Sequence, residues 1–198
     1  MTMTLKPADS EHGLSASLAV SSKQITPGMN ASHPDRSMLA RAYIGLGANL
    51  GAARATLMQA AERLAGLPQS RLVACSSHYG SAPVGYADQP DFINAVIALD
   101  TGLGPLELLH ALQSIETAQG RVRSFRNAPR TLDLDLLLHG ETRADSAELT
   151  LPHPRLHERA FVLLPLHEIA PELSLPGVGP IAQALERVAG QRIRRLDT

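Results

Sequence analysis

Residues 130–140 read RTLDLDLLLHG, and the fold turns on whether this run is a strand or a helix. In a strand, side chains alternate faces. Leu132, Leu134, Leu136 and Leu138 then share one side, and Thr131, Asp133, Asp135 and Leu137 share the other. Both carboxylates project together, about 7 Å apart at Cα from the rise per residue. A helix would set them about 200° apart around its axis and make no site. The strand reading gives a leucine face for a core and a carboxylate face turned away from it. Acids facing water would be the bland explanation of a lone D-x-D.

The residues just upstream favour a different explanation. Residues 121–130, RVRSFRNAPR, hold four of the chain's sixteen arginines and no acid. A solvated charge run, or salt bridges to Asp133 and Asp135, would account for them. A glycine- and proline-flanked arginine loop beside a two-carboxylate strand is also what a polyphosphate–metal complex requires. Carboxylates, waters and phosphate oxygens complete the octahedron of Mg²⁺. Guanidinium forks bind phosphate bidentately and neutralise charge that develops on it.

Further outward, the pattern resolves into alternating elements. A strand is expected over 42–46, followed by a turn at Gly47, Asn49 and Gly51. A helix over 52–64 carries Leu57, Ala60, Ala61 and Leu64 on one face. RLVACSSHYG (71–80) reads as a second strand, 81–90 as a loop, and FINAVIALD (92–100) as a third strand. A second helix spans 105–119, with Pro105 in its first turn and Gly120 at its C-terminal cap. With the strand at 132–138, the order is β-α-β-β-α-β, an α+β ferredoxin-like sandwich with helices on one face of an antiparallel sheet. Additional C-terminal helices are expected near 157–169 and 181–189. Residues 1–40, rich in Ser, Thr, Pro and Asn, read as a disordered extension, and 41–198 as one domain.

Composition narrows the chemistry. The formal net charge of −1 and the pI near 6.7 argue against a generic nucleic-acid surface. One cysteine rules out an intrachain disulfide framework or zinc–thiolate cluster and suits a reducing cytoplasm. No apolar run reaches the roughly 18 residues of a membrane span. The only lysines are Lys6 and Lys23, so a Walker A lysine, a Schiff base and a protein-kinase lysine are excluded from the folded part. GLGANLG (45–51) has the wrong spacing for a dinucleotide fingerprint and reads as a tight turn.

Three more groups draw notice. The loop SAPVGYADQPDFIN brings Tyr86, Phe92 and Asn94 around a Pro/Gly turn, where a flat ring could be stacked and read, or where Phe92 simply packs. Gln113 and Glu116 share a helix face one turn before the arginine loop, and Glu116 paired with an arginine is the plain reading. His153, pinned between prolines, His157 and Arg159 follow in LTLPHPRLHERAF. No zinc-ligand spacing is present.

These residues carry a family resemblance. RNAPRTLDLDLL, after IETAQGRVR and APVGYADQPDFINAVIAL, resembles 6-hydroxymethyl-7,8-dihydropterin pyrophosphokinase of folate biosynthesis. GANLG and LPHPRLHERAFVLLPLHEIAPEL extend the likeness over about 41–173. The resemblance implies the same sandwich and transfer of pyrophosphate from ATP to the pterin hydroxymethyl, with AMP released. It implies that Asp133 and Asp135 hold two Mg²⁺ ions and that Arg121 and Arg130 assist transfer; Asp135 is further expected to accept the hydroxyl proton. It places Gln113, Glu116, Arg123, Arg126, Thr150, His153 and Arg159 at ATP. It places Ser81, Val84, Phe92, Asn94 and Phe161 at the pterin. A cytoplasmic monomer is expected, bound to neither nucleic acid nor membrane. The chain departs from the family at Asn127, where a tryptophan is usual, and at Glu148 and Pro154. A D-x-D nucleotide-sugar transferase and a non-catalytic ferredoxin-like ligand binder are the competing readings. Neither requires the four-arginine loop.

Overall fold

A computed structural model of the protein describes residues 39–83, 85, 88–121 and 128–197. The extension expected over 1–40 lies outside the described residues, apart from its last two. So do Val84, Tyr86, Arg123, Arg126 and Asn127.

The first strand, β1 (Ala40–Ala48), is longer than expected and runs through both Gly45 and Gly47. Helix α1 (Ala53–Ala65) follows, burying Leu57, Ala60 and Leu64 at helical spacing. Then come β2 (Ser70–Cys75), β3 (Tyr79–Ser81), β4 (Phe92–Thr101) and α2 (Pro105–Ala118). Gly104 donates its amide to Glu107 Oε2 at 2.7 Å at the start of α2. Gly120, at φ +76°, takes the left-handed conformation beyond its end, where glycine has no Cβ penalty. β5 (Asp133–His139) is the strand inferred from RTLDLDLLLHG.

Strands β5, β1 and β4 lie side by side, all antiparallel, and β2 and β3 both pair with β4. This is the ferredoxin-like order. The single strand expected over 71–80 is broken at Ser76. There the side-chain hydroxyl accepts the Val96 amide at 2.9 Å and stands in for a ladder carbonyl. Ser81, expected in a loop, ends β3.

Past β5 the chain adds a β6 (Ala144–Asp145)–β7 (Thr150–Leu151) pair, a 3-10 turn at Leu156–Glu158, and α3 (Ala160–Ile169). It then adds a β8 (Ser174–Leu175)–β9 (Gly179–Pro180) pair, α4 (Ile181–Arg187) and β10 (Ile193–Arg195). β10 was not expected. It extends the sheet beyond β3, with Ile193 opposite Ser81.

The sheet is covered on both faces, which corrects the one-faced expectation. One core joins Ile44, Leu46, Ile97, Leu99, Leu132, Leu134 and Leu136 to α1 and α2. The other joins Tyr43, Val96, Ala98, Leu137 and Leu138 to α3 and α4. Leu138 therefore faces opposite to the strict alternation. The β1–β5 register shifts between Tyr43 and Ile44, so that Ile44 meets Leu136 while Tyr43 meets Leu138. A bulge inserts one residue and reverses the phase beyond it. The aspartate face is thus no plain outer surface. Its far end is sealed by α3, and Asp133 and Asp135 lie at the unsealed end of that layer.

Candidate active site

Two rows of residues cross the sheet at this end. Asn94, Gly47 and Asp133 are neighbours on β4, β1 and β5, and Val96, Gly45 and Asp135 form the next row. Directly paired residues share a face. The glycines therefore leave bare backbone beside each carboxylate. A Cβ at Gly47 would come 3.4 Å from Asn94 Oδ1 and 4.0 Å from Asp133 Cβ, so an alanine fits but narrows the floor. Above this floor opens a cavity of about 550 Å³. Its walls include Ser81, Phe92, Arg130, Arg159, Phe161 and Gln191.

The two aspartates sit in different electrostatic settings. Both oxygens of Asp133 are taken: Arg121 Nη2 lies 2.8 Å from Oδ1, and Arg130 Nη1 contacts Oδ2. Arg121 also pairs through Nη1 with Glu116, whose Oε1 accepts the Leu134 amide at 2.7 Å. Glu116 is 3% exposed. The result is a chain of alternating charge, Glu116–Arg121–Asp133–Arg130. Burial raises the Glu116 pKa, against the opposing pull of the Leu134 amide and the Arg121 cation.

Asp135 has looser partners: Arg159 Nη1 at 3.7 Å and His153 Nε2 at 4.0 Å. Its side chain keeps 38% of its surface accessible, yet lies deep in the concavity. Burial first, and the Asp133 charge second, push its pKa up, while His153, Arg159 and Arg130 pull it down. His153 Nδ1 accepts the Arg155 amide at 3.2 Å. This assigns the proton of the neutral ring to Nε2, on the Asp135 side. Burial lowers the His153 pKa, against the pull of Asp135.

On the other side of the cavity, Asn94, 4% exposed, donates from Nδ2 to Ser81 Oγ at 2.9 Å. Phe92 and Phe161 both line the opening, and the Arg159 guanidinium lies 5.5 Å from the Phe161 ring centroid. The sequence-derived residues Asp133, Asp135, Arg130, Arg159, Ser81, Phe92, Asn94 and Phe161 therefore share one cavity. Arg121 and Glu116 reach it only through Asp133, and His153 only beside Asp135. Gln113, on α2, and Thr150, on β7, are outside the cavity lining.

Several residues at the site were missed. Gly47 was read as a turn residue, and Gly45, inside the expected strand, was given no role. A glycine inside a strand, marking close approach, was the available signal. Asn49, read as a turn residue, is 5% exposed, and the N-cap position falls to Ala52. Its Oδ1 accepts the Arg130 amide at 2.8 Å, while Nδ2 donates to Gln89 Oε1 at 2.8 Å and Pro90 O at 3.1 Å. The amides of Asn49 and Leu50 also donate to Arg130 O at 3.1 and 3.3 Å. One buried amide thus holds the end of the arginine segment against residues 89–90.

Comparisons with known proteins bear on the family and the fold. The profile of the family described as 7,8-dihydro-6-hydroxymethylpterin-pyrophosphokinase (HPPK) matches residues 43–171. The 2-amino-4-hydroxy-6-hydroxymethyldihydropteridine pyrophosphokinase of Pseudomonas aeruginosa is 49% identical over 159 residues, covering 80% of this chain and 98% of that protein. The protein of that name from Haemophilus influenzae is 44% identical over 156 residues, covering 79% and 98%. Among solved structures, a Plasmodium falciparum HPPK-DHPS triple mutant with pteroate superposes with a TM-score of 0.62 at 13% identity. The match covers 81% of this chain and 47% of that longer one, and shows a shared fold.

Proposed function

Since this chain belongs to the 7,8-dihydro-6-hydroxymethylpterin-pyrophosphokinase family, we propose that it transfers the pyrophosphoryl group of ATP to 6-hydroxymethyl-7,8-dihydropterin in folate biosynthesis. The hydroxymethyl oxygen attacks the β-phosphorus, the bond from that phosphorus to the α,β-bridging oxygen breaks, and AMP leaves. The observation that carries the reading is the pair Asp133 and Asp135 above bare Gly47 and Gly45, beside Arg121 and Arg130.

Two carboxylates on one face, with room for phosphate oxygens and water, fit Mg²⁺, which takes one or two protein carboxylates. Among the described residues no cluster of three or more His, Cys, Asp or Glu side chains suits a self-contained metal cage. We assign Asp133 and Asp135 as the ligands of two Mg²⁺ ions. Held there, Mg²⁺ would supply positive charge to offset that of the phosphates.

The protein's own contribution is positioning and charge. Arg121 and Arg130 neutralise the transferring group, and Arg159 and His153 hold phosphate oxygens. Asp135, whose nearest cationic partners stand off at 3.7 and 4.0 Å, is assigned to take the hydroxyl proton. Phe92 and Phe161 offer ring faces for the pterin, and Asn94 and Ser81 offer polar atoms for its edge. Gln113, Glu116 and Thr150 are assigned to the nucleotide side. Arg123 and Arg126 are assigned to ATP and Val84 to the pterin on the family likeness alone, since they lie outside the described residues. The near-neutral charge and single cysteine support a cytoplasmic protein, and we propose a monomer.

The test is direct. The protein is mixed with ATP, Mg²⁺ and the hydroxymethyl dihydropterin, and the nucleotide product is identified. AMP is expected. ADP, or no turnover, breaks the assignment.

A further inference from the structure

We infer that Gln191, 20 residues beyond the end of the family match, is the positioning residue for Arg159. The inference rests on the proposed nucleotide role of Arg159.

A helix begins with backbone amides that have no partner of their own. At the start of α3, the N-cap residue is Arg159, and its side chain makes no capping bond. The missing cap arrives from elsewhere in the chain. Gln191 Oε1 accepts the Ala160 amide at 2.9 Å. The same side chain donates from Nε2 to Glu158 O at 2.7 Å. Only one orientation of the amide satisfies both partners, since an amide N–H needs an oxygen and a carbonyl needs an NH₂.

These two atoms belong to the peptide groups on either side of the Arg159 Cα. Holding both peptide planes fixes the extended φ −122° and ψ 110° of Arg159. That backbone conformation, in turn, sets the direction in which the guanidinium leaves the chain. It directs the group to within 3.7 Å of Asp135 and 5.5 Å of the Phe161 ring centroid. Gln191 is itself held from both sides. Its amide donates to Val188 O at 2.9 Å, and Ile193 joins the sheet opposite Ser81. The clamp therefore runs from the sheet edge, through one side-chain amide, to the arginine at the cavity.

Gln191 is exposed, so water competes for its bonds. Its loss should disturb the aim of Arg159 more than the stability of the fold. A misplacement of about 1 Å can cost up to about 100-fold in a positioned site.

The experiment is a double-mutant cycle on the full chain, read as the affinity for a non-hydrolysable ATP analogue with Mg²⁺, with melting temperature followed alongside. Gln191→Ala should weaken binding about fivefold or more, in keeping with lost positioning. In an Arg159→Ala background, the same change should have less than a twofold effect. Equal losses in both backgrounds, or no loss in either, overturn the inference. Gln191→Glu keeps the acceptor for Ala160 but faces Glu158 O with an oxygen. Its deficit relative to the unaltered protein should shrink as pH falls and the new carboxyl becomes a donor. A deficit independent of pH counts against the clamp. If the unaltered protein binds the analogue yet releases no AMP, the proposed reaction fails while the cycle still decides the role of Gln191. An unaltered protein that does not bind the analogue removes both.

Discussion

Replacing Asn49 by alanine tests whether one amide couples the two sides of the cavity. The change removes the bonds to Arg130 N, Gln89 Oε1 and Pro90 O. Each such bond contributes about 0.5–1.5 kcal/mol net, so the loss should be about 2–3 kcal/mol once water replaces some of them. For a domain of this size, about 2–4 °C per kcal/mol places the fall in melting temperature at about 4–12 °C. The backbone bonds from residues 49 and 50 to Arg130 O survive the substitution, so the segment stays attached but loses its orientation. Turnover should fall about tenfold or more, because Arg130 sits against Asp133 and small displacements are costly there. Thermal melts and steady-state AMP release measure the two effects on one preparation. Asn49→Asp keeps the acceptor for Arg130 and loses both donors, so it should fall between the alanine variant and the unaltered protein in stability. A melting change within 1–2 °C together with turnover within twofold would refute the coupling.

Other outcomes follow from the same geometry. Asp133→Ala and Asp135→Ala should each lower AMP release by at least about 100-fold, given the several kcal/mol that metal catalysis contributes; a smaller loss would remove the metal role. Arg121→Ala and Arg130→Ala should lower kcat more than they weaken ATP binding, as single-turnover and equilibrium titrations would show. Arg121→Ala should also cost about 3–5 kcal/mol of stability, because it strands Glu116 at 3% exposure. Arg130→Ala should cost less, since Asp133 keeps its bond to Arg121. For pH, Glu168 is the group to follow. Burial raises its pKa, but bonds from the Ser77 and Tyr79 hydroxyls, the Ser77 amide and Arg195 outweigh that and hold it below its ordinary 4.5. A depressed carboxylate stabilises the fold above its unfolded pKa, and that contribution is lost as pH falls through the folded value. Denaturant melts below about pH 4.5 should therefore show a shallower acid decline for Glu168→Gln than for the unaltered protein.

What could be read in the sequence was whatever has a local period. The D-x-D strand followed from alternation alone, and α1 and α2 from their apolar spacing and from Pro105 and Gly120. The second covering layer was harder to see, because both faces of β4 and of the end of β5 are apolar and a buried strand hides its second face. Leu138 was misplaced for a related reason: a bulge is a property of two paired strands. β10 is three residues long, two of them arginine, and carries no strand period. The carboxylates and aromatic residues of the site were legible from residue type. The groups that aim them were not. Asn49 acts on Arg130 across 81 positions and Gln191 on Ala160 across 31, distances over which no sequence pattern is visible.

The Glu116–Arg121–Asp133–Arg130 chain, with Asp135 facing Arg159, sets three acids against three arginines. Among the described residues, these six side chains are therefore at electrical balance. A triphosphate that arrives with two divalent cations is itself close to neutral. On the proposed reading, binding would swap these internal ion pairs for external ones, cation to carboxylate and guanidinium to phosphate, with little net charge moved among the six groups. Phosphate sites built from uncompensated arginines lose affinity steeply as salt rises. Ion pairs balanced before and after such an exchange would add little to the salt dependence of binding.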